Sequence, residues 1–131
     1  MATIKVQRAR LQIWQGQDFL ATFRVTDDDG LAVDLTNYNG EGQLRLQPKD
    51  SAATVLGTFD VALVYGGWTD SAGVLGWSAE VRMDRTQTAA LTATAVPTLF
   101  AVADLWVDNG VNRQPFCMAG AVIRQAVTED L

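Results

Sequence analysis

The chain reads as a succession of two-residue alternations. Phe19, Ala21, Phe23 and Val25 recur at every second position while Leu20, Thr22 and Arg24 occupy the other, the period of a strand with one face on a core. Leu75, Trp77, Ala79, Val81 and Met83 repeat the pattern against Ser78, Glu80 and Arg82, which predicts a central strand with Trp77 in the core. Read this way throughout, the sequence predicts strands at about 10–15, 19–26, 31–35, 42–47, 55–64, 74–83, 99–107, 114–118 and 121–127. Between them fall Asp28-Asp29-Gly30, Asn39-Gly40, Gly66-Gly67, Ser71-Ala72-Gly73 and Asp108-Asn109-Gly110. These are turn formers, because Asp and Asn bond back to local backbone and Gly accepts a positive φ. Short strands at regular spacing favour a two-layer sandwich or a barrel.

Two segments depart from simple alternation. In 99–107, Phe100, Val102 and Trp106 share one side while Ala101, Ala103, Leu105 and Val107 share the other. Both faces are apolar, which predicts a strand covered by the core on one side and by a loop or a partner on the other. In 84–91 the alternation stops and Asp84 can cap a short run of helix formers ahead of Pro97, so one or two helical turns are expected there. With 131 residues and no linker-like tract, the chain is expected to form one domain over 1–131.

Charge and cysteine content narrow the partners. A net charge of −5 without any His argues against a phosphate-backbone partner, which usually meets a clustered basic face. Lys5, Arg8 and Arg10 do cluster near one end, and with the acidic Glu129 and Asp130 they read first as two solvated termini and otherwise as a polarity that would matter if copies packed end to end. No hydrophobic stretch has the length of a membrane span, and the first ten residues lack a signal-peptide core, so a soluble protein made in a cytoplasm is expected. Cys117 is the single cysteine, which excludes an internal disulfide and a multi-cysteine zinc site.

Candidate chemistry is sparse. Asp27-Asp28-Asp29-Gly30 with Asp34 invites a calcium reading, yet a helix-loop-helix calcium loop places its acids at alternate positions and closes on a distant Glu. Consecutive acids splay to different sides, so a metal-free hairpin connection is predicted. Glu41, Asp60, Asp70, Glu80, Asp84 and Asp104 show no pocket-like pairing, and Asp104, inside an apolar strand, reads as a buried structural carboxylate or an edge-facing charge. Serine or cysteine chemistry lacks a base, and the glycine motifs that cradle phosphates do not occur. No catalytic, cofactor-binding or metal-ligating residue is predicted, and the protein is expected not to be an enzyme. The candidates for interface contact are Trp14, Tyr65, Trp68 and Trp106. Trp68, on the loop Tyr65-Gly66-Gly67-Trp68-Thr69-Asp70, could anchor a protein interface, stack on a sugar, or fold back over its own sheet edge.

Three patterns together carry a family resemblance. They are Phe23-x-Val25-x-Asp27-x-Asp29-Gly30 with Val33-Asp34-Leu35-Thr36, then the crossover of Asp84 followed by Thr88-x-x-Leu91, and the ending Asp104-Leu105-x-Val107 with its Gly110 turn and Ala121 and Ile123 beyond. Spread over about residues 12–128, they resemble the β-sandwich modules of tailed-bacteriophage virion proteins, in particular the N-terminal domain of baseplate upper proteins. The resemblance implies an all-β, immunoglobulin-like antiparallel β-sandwich with one short helical turn. It also implies a non-enzymatic virion structural protein of the baseplate, tail or tail-fibre attachment region, made in the bacterial host cytoplasm. Its partners would be other phage structural proteins and copies of itself, with neither nucleic acid nor membrane involved. A head decoration or neck protein is the alternative within that class. A carbohydrate-binding module for host adsorption, with a glycan as partner, is the alternative from another class.

Overall fold

In the computed structural model, which describes residues 3–46, 55–91 and 98–125, the alternating runs become seven strands. They are β1 (Gln7–Trp14), β2 (Phe19–Val25), β3 (Asn39–Arg45), β4 (Val55–Thr69), β5 (Leu75–Met83), β6 (Thr98–Asp108) and β7 (Arg113–Arg124), with α1 (Arg85–Ala89) between β5 and β6. The strands form one mixed sheet in the order β1-β7-β6-β3-β4-β5-β2. The protein is therefore all-β. The Pro97 stop, the end of the predicted last strand and the acidic Glu129 and Asp130 lie outside the described residues.

The sheet curls until its two halves face each other. One half is β2-β5-β4 and the other β4-β3-β6-β7-β1. β4 belongs to both: Val55 to Val61 pair with β3, and Asp60 to Thr69 pair with β5. At the corner where it passes from one layer to the other, a Cβ on Gly40 would overlap the Val61 side chain, 2.9 Å from its Cβ. Gly42 is equally crowded, with Phe59 Cβ 3.2 Å from where its own Cβ would stand. The remaining seam is narrowed where Lys5 N donates to Thr26 O (2.8 Å), beside an isolated Ile4–Asp27 bridge, so the sheet is nearly closed.

Several features depart from the sequence-based expectation, among them the predicted turns Asn39-Gly40 and Gly66-Gly67, which lie inside β3 and β4. β1 runs parallel to β7, so the pairing is not antiparallel throughout. Strand direction reverses at every connection, which leaves the first and last strands pointing the same way, and they can join only as a parallel ladder. The run 31–35 is not a strand: Asp34 Oδ1 accepts from Thr36 N (2.9 Å) and Thr36 Oγ1 (2.6 Å), Asn37 takes φ 66°, and the chain turns while still burying Val33 and Leu35. The runs 114–118 and 121–127 fuse into β7, because Ala119 and Gly120 stay in register with Ala103 and Val102.

The core lies between the layers and follows the predicted phase. Ile13, Val25, Leu44, Val81, Leu105, Val107 and Ile123 are fully buried in it. In β7 the consecutive residues Phe116 and Cys117 both point inward, because a bulge opposite Leu105 and Trp106 adds one residue there, next to Pro115, which has no N–H to give a ladder. That bulge brings the Phe116 ring edge-on to Phe23 across the core at 6.2 Å, while Phe19 tilts against Phe59 at 6.0 Å. Burial raises the Cys117 thiol to about 11, so it is protonated and unreactive at neutral pH. As the sequence predicts, Asp84 caps α1: its side chain accepts from Gln87 N (2.7 Å), and Gln87 Oε1 accepts from Asp84 N (2.8 Å), a reciprocal capping box. The buried Thr88 then ties the helix to the β1–β2 turn by donating to Gln17 O (2.8 Å).

Phe116→Ala empties a fully buried site on which the two layers meet. It should lower the unfolding free energy by about 3 to 5 kcal/mol in a urea titration. A change under about 1 kcal/mol would mean that the bulge does not set the inward phase of this residue.

Candidate interface surfaces

The four aromatic residues singled out by the sequence fall in different surroundings. Trp68 follows a two-residue irregularity: Tyr65 pairs with Trp77, but the next pair is Trp68 with Gly76, with Gly66 at φ 91° between them. The extra residues swing the indole back onto its own sheet, where it covers Gly76 so closely that a Cβ there would fall inside the ring. Trp68 Nε1 donates to Trp77 O (2.9 Å) and the Arg24 guanidinium sits 5.3 Å from the ring. With 9 % of its surface exposed, Trp68 acts as a lid on the sheet.

Trp106 is also 9 % exposed, on the outer side of β6. Its Nε1 donates to Glu41 Oε2 (2.9 Å), and Arg113 stacks 4.1 Å above the ring. A buried indole needs such a partner for its N–H, and the cation satisfies the ring face. Trp14 is half-buried beside Arg124, 5.6 Å from the ring. Tyr65 alone among the four is largely exposed, at 57 %.

Tyr65 leads to the concave apolar surface of the molecule. Its ring lies 5.1 Å from Trp77, and together with Val74, Leu75 and the loop residues Ala32, Val33, Asp34 and Thr36 they line a cleft of about 460 Å³. Trp77 and Leu75 keep the phase the sequence assigns them, but at this end the layers part. Trp77 is only half-buried and Leu75 is 46 % exposed, so Trp77 packs against the core without entering it. The sequence signal for Leu75 was core alternation. What it could not show was the loss of an opposing layer.

Two matching turns frame this end. Asp27 Oδ1 accepts from Asp29 N (2.9 Å) and Leu31 N (3.0 Å), with Gly30 at φ 80°. Asp70 Oδ1 accepts from Ala72 N and Val74 N (both 2.9 Å), with Gly73 at φ 82°. The acids therefore serve as backbone acceptors, Asp70 in the β4–β5 hairpin and Asp27 in a turn closed by the single Thr26–Ala32 bridge, since the second strand expected of a hairpin at Asp27–Gly30 does not form. Asp70 also joins the two turns, since its Oδ2 accepts from Ala32 N (2.9 Å). These backbone donors hold the Asp70 carboxyl below the ordinary Asp range, and Thr36 does the same for Asp34 at the cleft rim. Among the described residues no cluster of three or more acids and cysteines is placed to hold a metal ion.

A second surface is the outer face of the larger layer. Phe100 is 72 % exposed there, opposite Val122 and next to Val102 on the same side, with the exposed Met118 further along opposite Asp104. The two-sided apolar pattern of 99–107 pointed at this face, although the residue picked from it, Trp106, proves to be pinned while Phe100 is open. Asp104, on the same side, pairs with Arg45 at 3.8 Å.

No protein-family model and no curated protein matches this chain.

Two expectations follow. Gly76→Ala should drive the Trp68 ring off the sheet, seen as a red shift and stronger quenching of tryptophan emission with a loss of about 1 to 3 kcal/mol in stability. Unchanged emission would mean that the indole is not seated there. Asp70→Ala should lower the melting temperature at neutral pH. Because the folded-state value of Asp70 lies below the unfolded one, the carboxylate stabilises the fold at every pH above about 3.9, and that contribution disappears as the pH falls through the depressed value. The gap between wild type and variant should therefore close in acid, and a gap independent of pH would remove this role.

Proposed function

We propose that this protein is a non-enzymatic structural component of a tailed-phage virion, in the baseplate, tail or fibre-attachment region, working through protein–protein assembly. The observation that carries the reading is the exposed apolar cleft of Tyr65, Val74, Leu75 and Trp77 at one end of the sandwich. Solvent-facing apolar side chains grouped around a concavity are what an interface buries, and an aromatic anchor in a pocket contributes most where it is used. The exposed side chains around Phe100 supply a second such surface on a different face. The resemblance of the turns and crossover to phage β-sandwich modules supplies the virion context, by analogy only.

A carbohydrate-binding role is the second reading, favoured by the pairing of an exposed aromatic ring with the polar rim of Asp34 and Thr36 in the same cleft. Mass spectrometry of purified particles of the encoding phage, combined with cross-linking, separates the two. On the assembly reading the protein is present in particles and cross-links from the 65–77 region reach other protein chains. Tyr65→Ser and Leu75→Ser should leave the melting temperature nearly unchanged and reduce incorporation at least about tenfold, the effect of losing a hot-spot contact. Absence from particles would overturn the reading. Specific glycan-array binding abolished by Tyr65→Ser would put the sugar-binding module in its place.

A further inference from the structure

Three of the four tryptophans have an arginine at the ring within the chain. Arg24 stands 5.3 Å from the Trp68 ring, Arg113 4.1 Å from Trp106 and Arg124 5.6 Å from Trp14. The fourth, Trp77, packs against Tyr65 at 5.1 Å with the rings tilted by 52°, and among the described residues no cation stands over either ring. This pair lines the cleft between the β4–β5 hairpin and the 32–36 loop. The turns around the cleft are acidic. Asp34 lines it and is exposed; both bonds from Thr36 go to Oδ1, and Oδ2 has no partner among the described residues. Asp27, Asp28 and Asp29 lie on the turn that leads into Ala32, and Asp70 Oδ2 reaches Ala32 N from the other side. Two bases are near: Lys5, whose N donates to Thr26 O, and Arg24, engaged with Trp68 where that ring covers Gly76 on the outer face of the sheet. Neither lines the cleft.

We infer that the cleft takes a cationic side chain, arginine or lysine, presented beside an apolar one on an extended segment of a neighbouring protein. The cation stacks on the open face of Tyr65, where the ring quadrupole attracts it, with the Asp34 carboxylate as its counter-charge. Val74 (52 % exposed) and Leu75 (46 % exposed) continue the cleft as apolar surface, so the occupant has to bring apolar side chains next to its charge. A polypeptide with a base between apolar residues meets both demands. A metal ion or a polyamine would leave Val74 and Leu75 in water, and an acidic segment would set like charge against Asp34 and the turn acids. At longer range those acids speed encounter with a basic partner and slow encounter with an acidic one. Arginine beside Trp14, Trp68 and Trp106 is how this chain covers its other indoles; at Tyr65 and Trp77 the same place is open to a second chain.

The inference rests on the assembly reading and names the chemistry of the partner at the same cleft. Titrating the intact protein with the blocked tripeptide Leu-Arg-Leu, followed by NMR, should move the Tyr65 ring and Trp77 indole signals. The citrulline counterpart, similar in shape but uncharged, should bind at least about fivefold more weakly, the scale of one cation–ring contact with one exposed ion pair, and Leu-Glu-Leu more weakly still. The preference for arginine should shrink as salt is raised. Asp34→Asn keeps an oxygen to accept from Thr36 and removes the charge, so it should reduce that preference while leaving the melting temperature nearly unchanged. Tyr65→Ser, at a ring 57 % exposed, should abolish the shifts without unfolding the protein. Equal binding of the three peptides, a preference that Asp34→Asn leaves intact, shifts confined to signals away from Tyr65 and Trp77, or no shift at all would each overturn the cation site. A neutral oligosaccharide that moves these signals where the arginine peptide does not would give the cleft to the sugar-binding reading. Particle data keep the two readings apart: photo-cross-links from 65–77 in virions to a segment without arginine or lysine overturn only the cation chemistry, whereas arginine-peptide binding by a protein missing from virions overturns only the virion role.

Discussion

One strand holds the architecture together by belonging to both layers. β4 leaves β3 at Val61 and is already paired with β5 from Asp60 onward, so the layers are two parts of a single curled sheet. Such a passage needs the backbones to approach closely at the corner, and Gly40 and Gly42 are what make room: any side chain there would strike Val61, Phe59 or Leu105. The corner then sets the rest. Continuity fixes how the layers face each other, the groove lined by Glu41, Asp60, Glu80 and Arg82 lies on the outside, and the far end of β4 carries Tyr65 beyond the cover of the opposing layer.

The same economy governs the ends of the molecule. At the β1–β2 end, Thr88 donates to Gln17 O, Gln15 Nε2 donates to Leu91 O, and Arg85 N donates to Asp18 Oδ1, so α1 is fastened to the turn it covers. At the other end the turns at Asp27 and Asp70 use one design twice, a carboxylate accepting the backbone of its own loop before a glycine at positive φ. A carboxylate engaged in this way has a structural role in its own loop. The link from Asp70 to Ala32 locks the two turns together and so holds the rim of the aromatic cleft in place.

Local periodicity made much of this legible. The inward phase of β2 and β5 and the capping role of Asp84 follow from alternation and residue chemistry that neighbouring residues express. What escaped the sequence depends on non-local geometry. Val33 and Leu35 are buried like strand residues, but the Asp34 to Thr36 bonds turn the chain, and two-residue alternation cannot distinguish a loop that happens to bury every second residue. The β7 bulge placed Phe116 and Cys117 on one face, a break in period that reads from sequence as the end of a strand. Among the aromatic candidates, Trp68 and Trp106 gain partners from residues far from them in the chain or across a bulge, so composition alone overstated their exposure.

That last contrast bears on function. Trp68 and Trp106 have N–H acceptors and cations over their rings within the same chain, so their surfaces are already used. Tyr65, Leu75 and Phe100 have no comparable cover, and they stand on two different faces, one concave at the end of the sandwich and one flat along its side. A binding module for a single small ligand needs one such place. Two exposed apolar surfaces on different faces, rather than one, are the feature on which the assembly proposal rests.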